Sequence, residues 1–330
     1  MEKKLTYTVG EEDGGSRLEQ ILRSRMKLSR REISRAKFLK HGICVDEISQ
    51  KVNYQVKAGE RIEVLLESKE ASSSHLIPRE GELCVCYEDE DVIVVEKPAG
   101  VVVHPCKGHY SDTLANRLTA YLQKKQQDSV IRIMGRLDKD TSGLVLAVKN
   151  KAAGSRLEVQ RRNGEFYKTY LAVTQGIPDP ERGKIEKPIA PDLEQREKMC
   201  IDTAGKQAVT QYEVIKKTDC EALVRVWIFT GRMHQIRVHM ASIGCPLKGD
   251  VLYGEKRCEE SIERKQLIRT EESSETQGRA FRLALHAQTL HFRQPFTGEE
   301  VTVSAPISEE ELGYTDSAGR QRLTDQQHDL

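Results

Sequence analysis

The residues best able to do chemistry lie in one polar run, Gly135-Arg136-Leu137-Asp138-Lys139-Asp140-Thr141-Ser142-Gly143. The run offers carboxylates at Asp138 and Asp140, cations at Arg136 and Lys139, and hydroxyls at Thr141 and Ser142. A positioned carboxylate can move a proton, trap a carbon centre or stabilise developing positive charge. Asp138 and Asp140 could also work as a hydrolytic pair. An ordinary turn, with Asp and Ser capping backbone groups, would use the same residues.

A second run is Thr230-Gly231-Arg232-Met233-His234-Gln235-Ile236-Arg237-Val238-His239, continuing through Gly249-Asp250 and Tyr253-Gly254. His234 and Arg237 are three apart and can share a helix face, while Ile236 and Met240 share a more apolar one. His234 and His239 are five apart, which separates them around a helix, and no HExxH-type carboxylate accompanies them. A metal site is therefore not expected here, and a structural role for the histidines is. Two further runs read as strands: Glu96-Lys97-Pro98-Ala99-Gly100-Val101-Val102-Val103-His104-Pro105, broken by a turn, and Phe166-Tyr167-Lys168-Thr169-Tyr170-Leu171-Ala172-Val173.

These runs need a scaffold. Leu144-Val145-Leu146-Ala147-Val148 has the length and content of a buried strand, which would hold the first polar run as a loop on a rigid support. Other strands are expected near 84–87, 92–95, 166–173, 208–215, 222–229, 285–292 and 299–303, with helices near 111–124, 151–161 and 234–242. That irregular alternation predicts an α+β domain around a mixed, largely antiparallel sheet.

Upstream, residues 16–66 read as a compact unit. Leu18, Ile21 and Leu22 have helical spacing, and Ser29-Arg30-Arg31-Glu32 is a capping-box pattern that starts a second helix. Ile33 and Ala36 would face its core, and Gly42 would stop it. Short strands follow at Ile43–Val45 and Arg61–Leu66, with turns at Asp46-Glu47 and Ala58-Gly59. Between Arg17 and Lys40 there are nine basic residues against Glu19 and Glu32, although the whole chain carries only +1. A local excess of that kind suits phosphate binding, or simply a wetted basic face. The expected organisation is an extension over 1–15, the small unit over 16–66, a polar linker over 67–81, a large domain over 82–310 with a charged surface insertion at 255–280, and a tail over 311–330.

The 330-residue length allows two domains, and 38% hydrophobic with 31% charged residues describes a soluble globular chain. No apolar stretch approaches the roughly 20 residues of a membrane span, and the first ten residues lack a signal-peptide core. Eight scattered cysteines without a CxxC pair fit free thiols in a reducing compartment, and no zinc cluster of four ligands is expected. A cytoplasmic protein is the expectation.

The small unit resembles the S4 RNA-binding domain through Arg17-Leu18, Leu28-Ser29-Arg30-Arg31, Gly42-Ile43-Cys44-Val45-Asp46 and Val56-Lys57-Ala58-Gly59-Glu60-Arg61-Ile62. That resemblance implies that Arg17, Arg30, Arg31, Arg35 and Lys37 meet RNA. The four segments of the large domain, with Leu285-His286-Ala287, together resemble the RluA-type pseudouridine synthases. The resemblance implies that Asp138 is the catalytic aspartate and Arg237 its basic partner. It further implies that Tyr170 packs on the target base, that Ile236 lines the base pocket, and that Arg136 helps extrude the nucleotide. Relatives commonly carry His where this chain has Gly135.

Pseudouridine formation breaks the N1–C1′ bond of uridine and rejoins the base through C5. It oxidises nothing and imports no group, so no cofactor and no metal are expected. The implied partner is structured RNA, ribosomal rather than transfer RNA, handled by a monomer. An RNA-binding protein without chemistry, or a hydrolase that releases free uracil, would be the competing functions.

Overall fold

The computed structural model describes residues 3–67, 76–127, 131–195, 197–254 and 282–315. The expected insertion at 255–280 lies outside the described residues, as do most of the linker and the end of the tail.

The small unit is a four-stranded antiparallel sheet against two helices. β1 (Lys3–Thr8) and β2 (Ile43–Val45) flank β4 (Arg61–Glu67), and β3 (Ile48–Ser49) adds to β2. Helix α1 (Leu18–Ser24) buries Leu18, Ile21 and Leu22, and α2 (Arg30–Ala36) buries Ile33 and Ala36. The capping box at α2 forms in full: Ser29 Oγ accepts from the Glu32 N–H, and Glu32 returns a carboxylate to the Ser29 N–H. At Gly42 a Cβ would meet the Ala36 carbonyl at 1.9 Å, so the chain closes too tightly there for a side chain. Strand β1 lies in what the sequence suggested was an extension. Its alternating burial, with Leu5 and Tyr7 packed on the unit's core, makes it part of this sheet.

The large domain holds a ten-stranded sheet. The strands are β5 (Cys84–Glu88), β6 (Val92–Lys97), β7 (Arg132–Met134), β8 (Ser142–Val148), β9 (Tyr167–Gln175), β10 (Arg182–Glu186), β13 (Val209–Lys217), β14 (Glu221–Ile228), β15 (Leu285–Arg293) and β16 (Glu300–Ser304). The order is β10-β13-β14-β9-β15-β8-β6-β5, with β16 on β15 and β7 on β8. A separate hairpin joins β11 (Ile189–Pro191) to β12 (Met199–Ile201). Helices α3 (Leu114–Lys124), α4 (Lys151–Asn163) and α5 (Gln235–Ala241) complete the described core. All pairings are antiparallel except β15 with β8, where His286 and Ala287 run alongside Ser142 and Gly143.

Strand β15 therefore joins two half-sheets. One carries β8 and β6, the other β9 and β14. The junction needs Gly143: its φ is +107°, and a Cβ would meet the Ala287 carbonyl at 2.3 Å. Only glycine allows the backbones to approach this closely.

The small unit rests on α4. Glu32 pairs with Arg156 at 3.0 Å, Arg156 also donates to the Pro295 carbonyl, and its guanidinium lies 4.4 Å from the Phe296 ring centre. Lys3 covers the same ring at 4.5 Å and pairs with buried Asp91. Parts of the two segments read as a linker and a tail are anchored. Leu76 is buried in the main core, and Leu312 and Tyr314 pack beside Leu171 and Val173. The sequence placed 311–314 in a tail, but a capped turn at Ser308 and Gly313 folds them back onto β9.

Gly143→Ala is expected to cost about 2–4 kcal/mol, from overpacking plus a strained φ. A lowered midpoint in urea denaturation, with its slope unchanged, is the expected reading. A midpoint equal to the parent's would show that the β8–β15 approach tolerates a methyl group.

Candidate active site

Three elements build the site. The first is the loop that enters β8. Asp138 is half-buried within it, and its carbonyl accepts the Thr141 N–H at 3.2 Å. A buried lysine at the end of β6 braces this loop. Lys97 Nζ donates to the carbonyls of Pro98, Val101 and Lys139, each at 2.8 Å, and the Gly100 N–H also reaches Lys139 O at 2.9 Å. Burial pushes the Lys97 ammonium down to about 8, against the charges of Asp140 and Asp138, which hold it up. Three carbonyl acceptors satisfy all three donors of the ammonium. Gly135 opens the loop in a left-handed conformation, φ +78°, with open space around its Cα.

The second element is the turn from β14 into α5. His234 stands at the helix start with φ +54°, a conformation costly for a residue with a Cβ. Gln235 holds the turn: its Oε1 accepts from Thr230 Oγ1 and the Arg232 N–H, and its Nε2 donates to Val209 O and Thr210 Oγ1. His239 lies 2.9 Å from Thr210 Oγ1 through Nδ1 and 3.0 Å from the Lys187 carbonyl through Nε2. The carbonyl can only accept, so the proton belongs on Nε2 and the Thr210 hydroxyl donates to Nδ1. This chain fits the neutral imidazole, and burial lowers the His239 pKa accordingly. His239 is thus a structural residue, as the sequence suggested.

This turn delivers Arg237. Its Nε and Nη2 donate to the two carboxylate oxygens of Asp250 at 2.7 and 2.8 Å, and its Nη1 lies 3.8 Å from Asp138 Oδ2. Asp250 is fully buried at its carboxylate and also accepts the N–H groups of Leu252 and Tyr253. Burial works against the Arg237 charge, but the hydrogen bonds and charge of Asp250, then the charge of Asp138, raise its pKa. The Tyr253 ring lies 5.2 Å from the guanidinium, and its hydroxyl accepts the Met199 N–H and meets His234 Nδ1 at 2.9 Å.

The third element is β9, which buries Tyr170 in the cluster that also holds Leu137 and Ile236. Burial first, and then the charge of Asp138, pushes the Tyr170 phenol well above its ordinary range. The phenol is therefore protonated at neutral pH and lies within electrostatic reach of Asp138. The assembly is a half-exposed carboxylate, a buried guanidinium beside it, a neutral phenol and an apolar lining. It can hold an anion at Asp138 and receive a flat, partly apolar group.

Of the residues singled out in the sequence, Asp138, Arg237, Tyr170 and Ile236 come together. Arg136 is exposed at the start of the loop; burial first, and then the Arg136 charge, lowers the pKa of the neighbouring His104. Arg17, Arg30, Arg31, Arg35 and Lys37 lie on the small unit, all exposed. The sequence reading missed the roles of Asp250, Gln235 and Lys97. Asp250 had only the Gly249-Asp250 pair as a signal, and Lys97 only its place before a Pro-Ala-Gly turn.

The sheet domain that carries these groups is similar in fold to a solved RNA pseudouridine synthase. The solved human RNA Pseudouridylate Synthase Domain Containing 1 superposes with a TM-score of 0.53 at 26% identity, covering 74% of this chain and 95% of that one. The family model for RNA pseudouridylate synthase matches residues 91–242. An RNA pseudouridine synthase of Bacillus subtilis, YlyB, described as uncharacterised, is 35% identical over 93% of this chain and 95% of its own. Ribosomal large subunit pseudouridine synthase D of Pseudomonas aeruginosa is 34% identical over 91% of each chain. The chain belongs to the RluA family of RNA pseudouridine synthases. It is an isomerase acting on uridine in RNA.

Asp250→Ala would leave the Arg237 guanidinium buried without its partner, a loss of about 3–5 kcal/mol. A matching drop in unfolding free energy, together with impaired turnover, is expected; unchanged stability would mean that Asp250 does not hold Arg237. Stability should also depend on the neutral buried histidines His239 and His286, whose pKa values burial lowers. Such groups contribute fully above the unfolded pKa of about 6.5, and their contribution is lost as pH falls below it. Denaturation across that range should show the decline, with a smaller slope in His239→Gln.

Proposed function

We propose that the enzyme converts uridines of large-subunit ribosomal RNA to pseudouridine, with Asp138 as the catalytic carboxylate. The observation that carries the assignment is the Arg237 guanidinium, held by Asp250 and turned toward Asp138. An arginine at this distance sets a positive charge beside the carboxylate, and its fixed fork keeps that charge in place. The ionised Asp138 either attacks the ribose or stabilises it as the N1–C1′ bond breaks. The detached base turns and bonds to C1′ through C5, displacing the Asp138 carboxylate where it has bonded there; N1 takes up a proton, and the C5 proton leaves. The Tyr170 phenol packs on the base and takes part in the proton transfer. Ile236 lines the pocket.

The base must leave its stack first, at a cost of a few kcal/mol. Arg136, exposed at the loop entrance, fills the vacancy. The two-helix small unit, read as an S4-type domain, supplies affinity through Arg17, Arg30, Arg31, Arg35 and Lys37. None of these five forms an ion pair among the described residues, so their charge is available to phosphate. Several relatives carry the name ribosomal large subunit pseudouridine synthase D, which supports ribosomal RNA over transfer RNA. The reading includes a cytoplasmic monomer that needs no cofactor; no described helix is long and apolar enough to cross a membrane.

Tritium release from C5-labelled large-subunit RNA, transcribed without modification, tests the reaction. Wild type should release tritium, whereas Asp138→Asn should bind RNA and release none. Full turnover by Asp138→Asn would remove Asp138 from its role, and release of free uracil would indicate hydrolysis instead. Replacing Arg30, Arg31 and Arg35 by Ala should weaken RNA binding. It should also lower the salt dependence, by about one unit of slope for each phosphate left unneutralised. An unchanged slope would place the RNA elsewhere.

A further inference from the structure

Away from the catalytic pocket, β5 forms one edge of the large sheet. Its antiparallel register sets Cys84 opposite Glu96, Val85 opposite Val95 and Tyr87 opposite Val94. Cys86 is left without a partner residue, so the strand bulges there. Cys86 and Tyr87 both pack toward the cluster that contains Val92 and Val94. The bulge therefore leaves Cys84, Cys86 and Glu96 on one face. The two sulfurs and a Glu96 carboxylate oxygen all lie within 4.8 Å of one another.

Burial first, and then the neighbouring Cys84, pushes the Cys86 thiol up to about 11. A bound cation reverses this, because it takes up the charge of the thiolates it coordinates. Two sulfurs and one oxygen suit a borderline-soft ion rather than magnesium or calcium. Access is open, since Cys84 is exposed and Cys86 and Glu96 are half-buried. We propose that Cys84, Cys86 and Glu96 form a site for a thiophilic divalent cation of the zinc class, with water completing a tetrahedral shell. Binding converts two thiols to thiolates and releases two protons to solvent. The ion ties β5 to β6 one residue before Lys97, the lysine that braces the Asp138 loop.

The test uses the full chain, kept reduced, with cadmium as the spectroscopic probe and zinc in competition with a chromophoric chelator. Wild type should bind one cation at this site and develop an ultraviolet cadmium–thiolate charge-transfer band with proton release. Cys84→Ser, at an exposed position, should fold and isomerise uridine normally yet lose at least about tenfold in affinity, or 1.4 kcal/mol. The Cys84→Ser/Cys86→Ser variant should lose the band contributed by this site. Glu96→Gln should weaken binding and keep the thiolate band. No thiolate band in wild type, or equal zinc affinity in wild type and the double-serine variant, would overturn the proposal.

Discussion

The site depends on one buried charge. Arg237 sits on a short helix inside the domain, where an unpaired guanidinium would be prohibitive. Asp250 neutralises it with two parallel hydrogen bonds and is itself held by two backbone N–H groups. That leaves one edge of the guanidinium, Nη1, facing Asp138 at 3.8 Å. The spacing is that of an ion pair, longer than a hydrogen bond. Asp138 is thus kept beside a positive charge without being tied down by it.

The supporting groups follow from that arrangement. Gln235 and His239 fix α5 to β13 and to the Lys187 carbonyl, so Arg237 cannot drift along the sheet. Lys97 does the equivalent for the opposite wall, exchanging three waters for three carbonyls. Each brace is a fully satisfied polar group in an apolar setting. Such groups are costly to disturb and rigid while intact. Asp138 can therefore stay partly open while the groups that support it are buried.

Much of this was legible in the sequence. The polar run before Leu144–Val148 reads as a loop on a buried strand, and it is one. The capping box at Ser29 and the glycine stop at Gly42 are local chemistry, and local chemistry is readable. Helix α5 was placed within a residue at each end, starting after the Gly231 turn. What stayed hidden was set by long-range contact. Asp250 looks like any turn aspartate until Arg237, thirteen residues earlier, is folded against it. Lys97 looks like the end of a strand until Lys139 arrives from another loop. Strand β1 has a weak period-two pattern, and only pairing with β4 reveals it. Leu312 and Tyr314 belong to a polar stretch whose burial depends on β9.

The position of β15 carries a consequence for biosynthesis. Asp138 belongs to the half-sheet of β8 and β6, and Tyr170 and Arg237 to the half-sheet of β9 and β14. Strand β15 lies between them, and it is made more than a hundred residues after β8. During translation, both halves of the site leave the ribosome before the strand that holds them in register exists. A nascent chain thus carries Asp138, Tyr170 and Arg237 before it has the strand that joins their half-sheets. The junction between the two half-sheets is thus completed only late in synthesis.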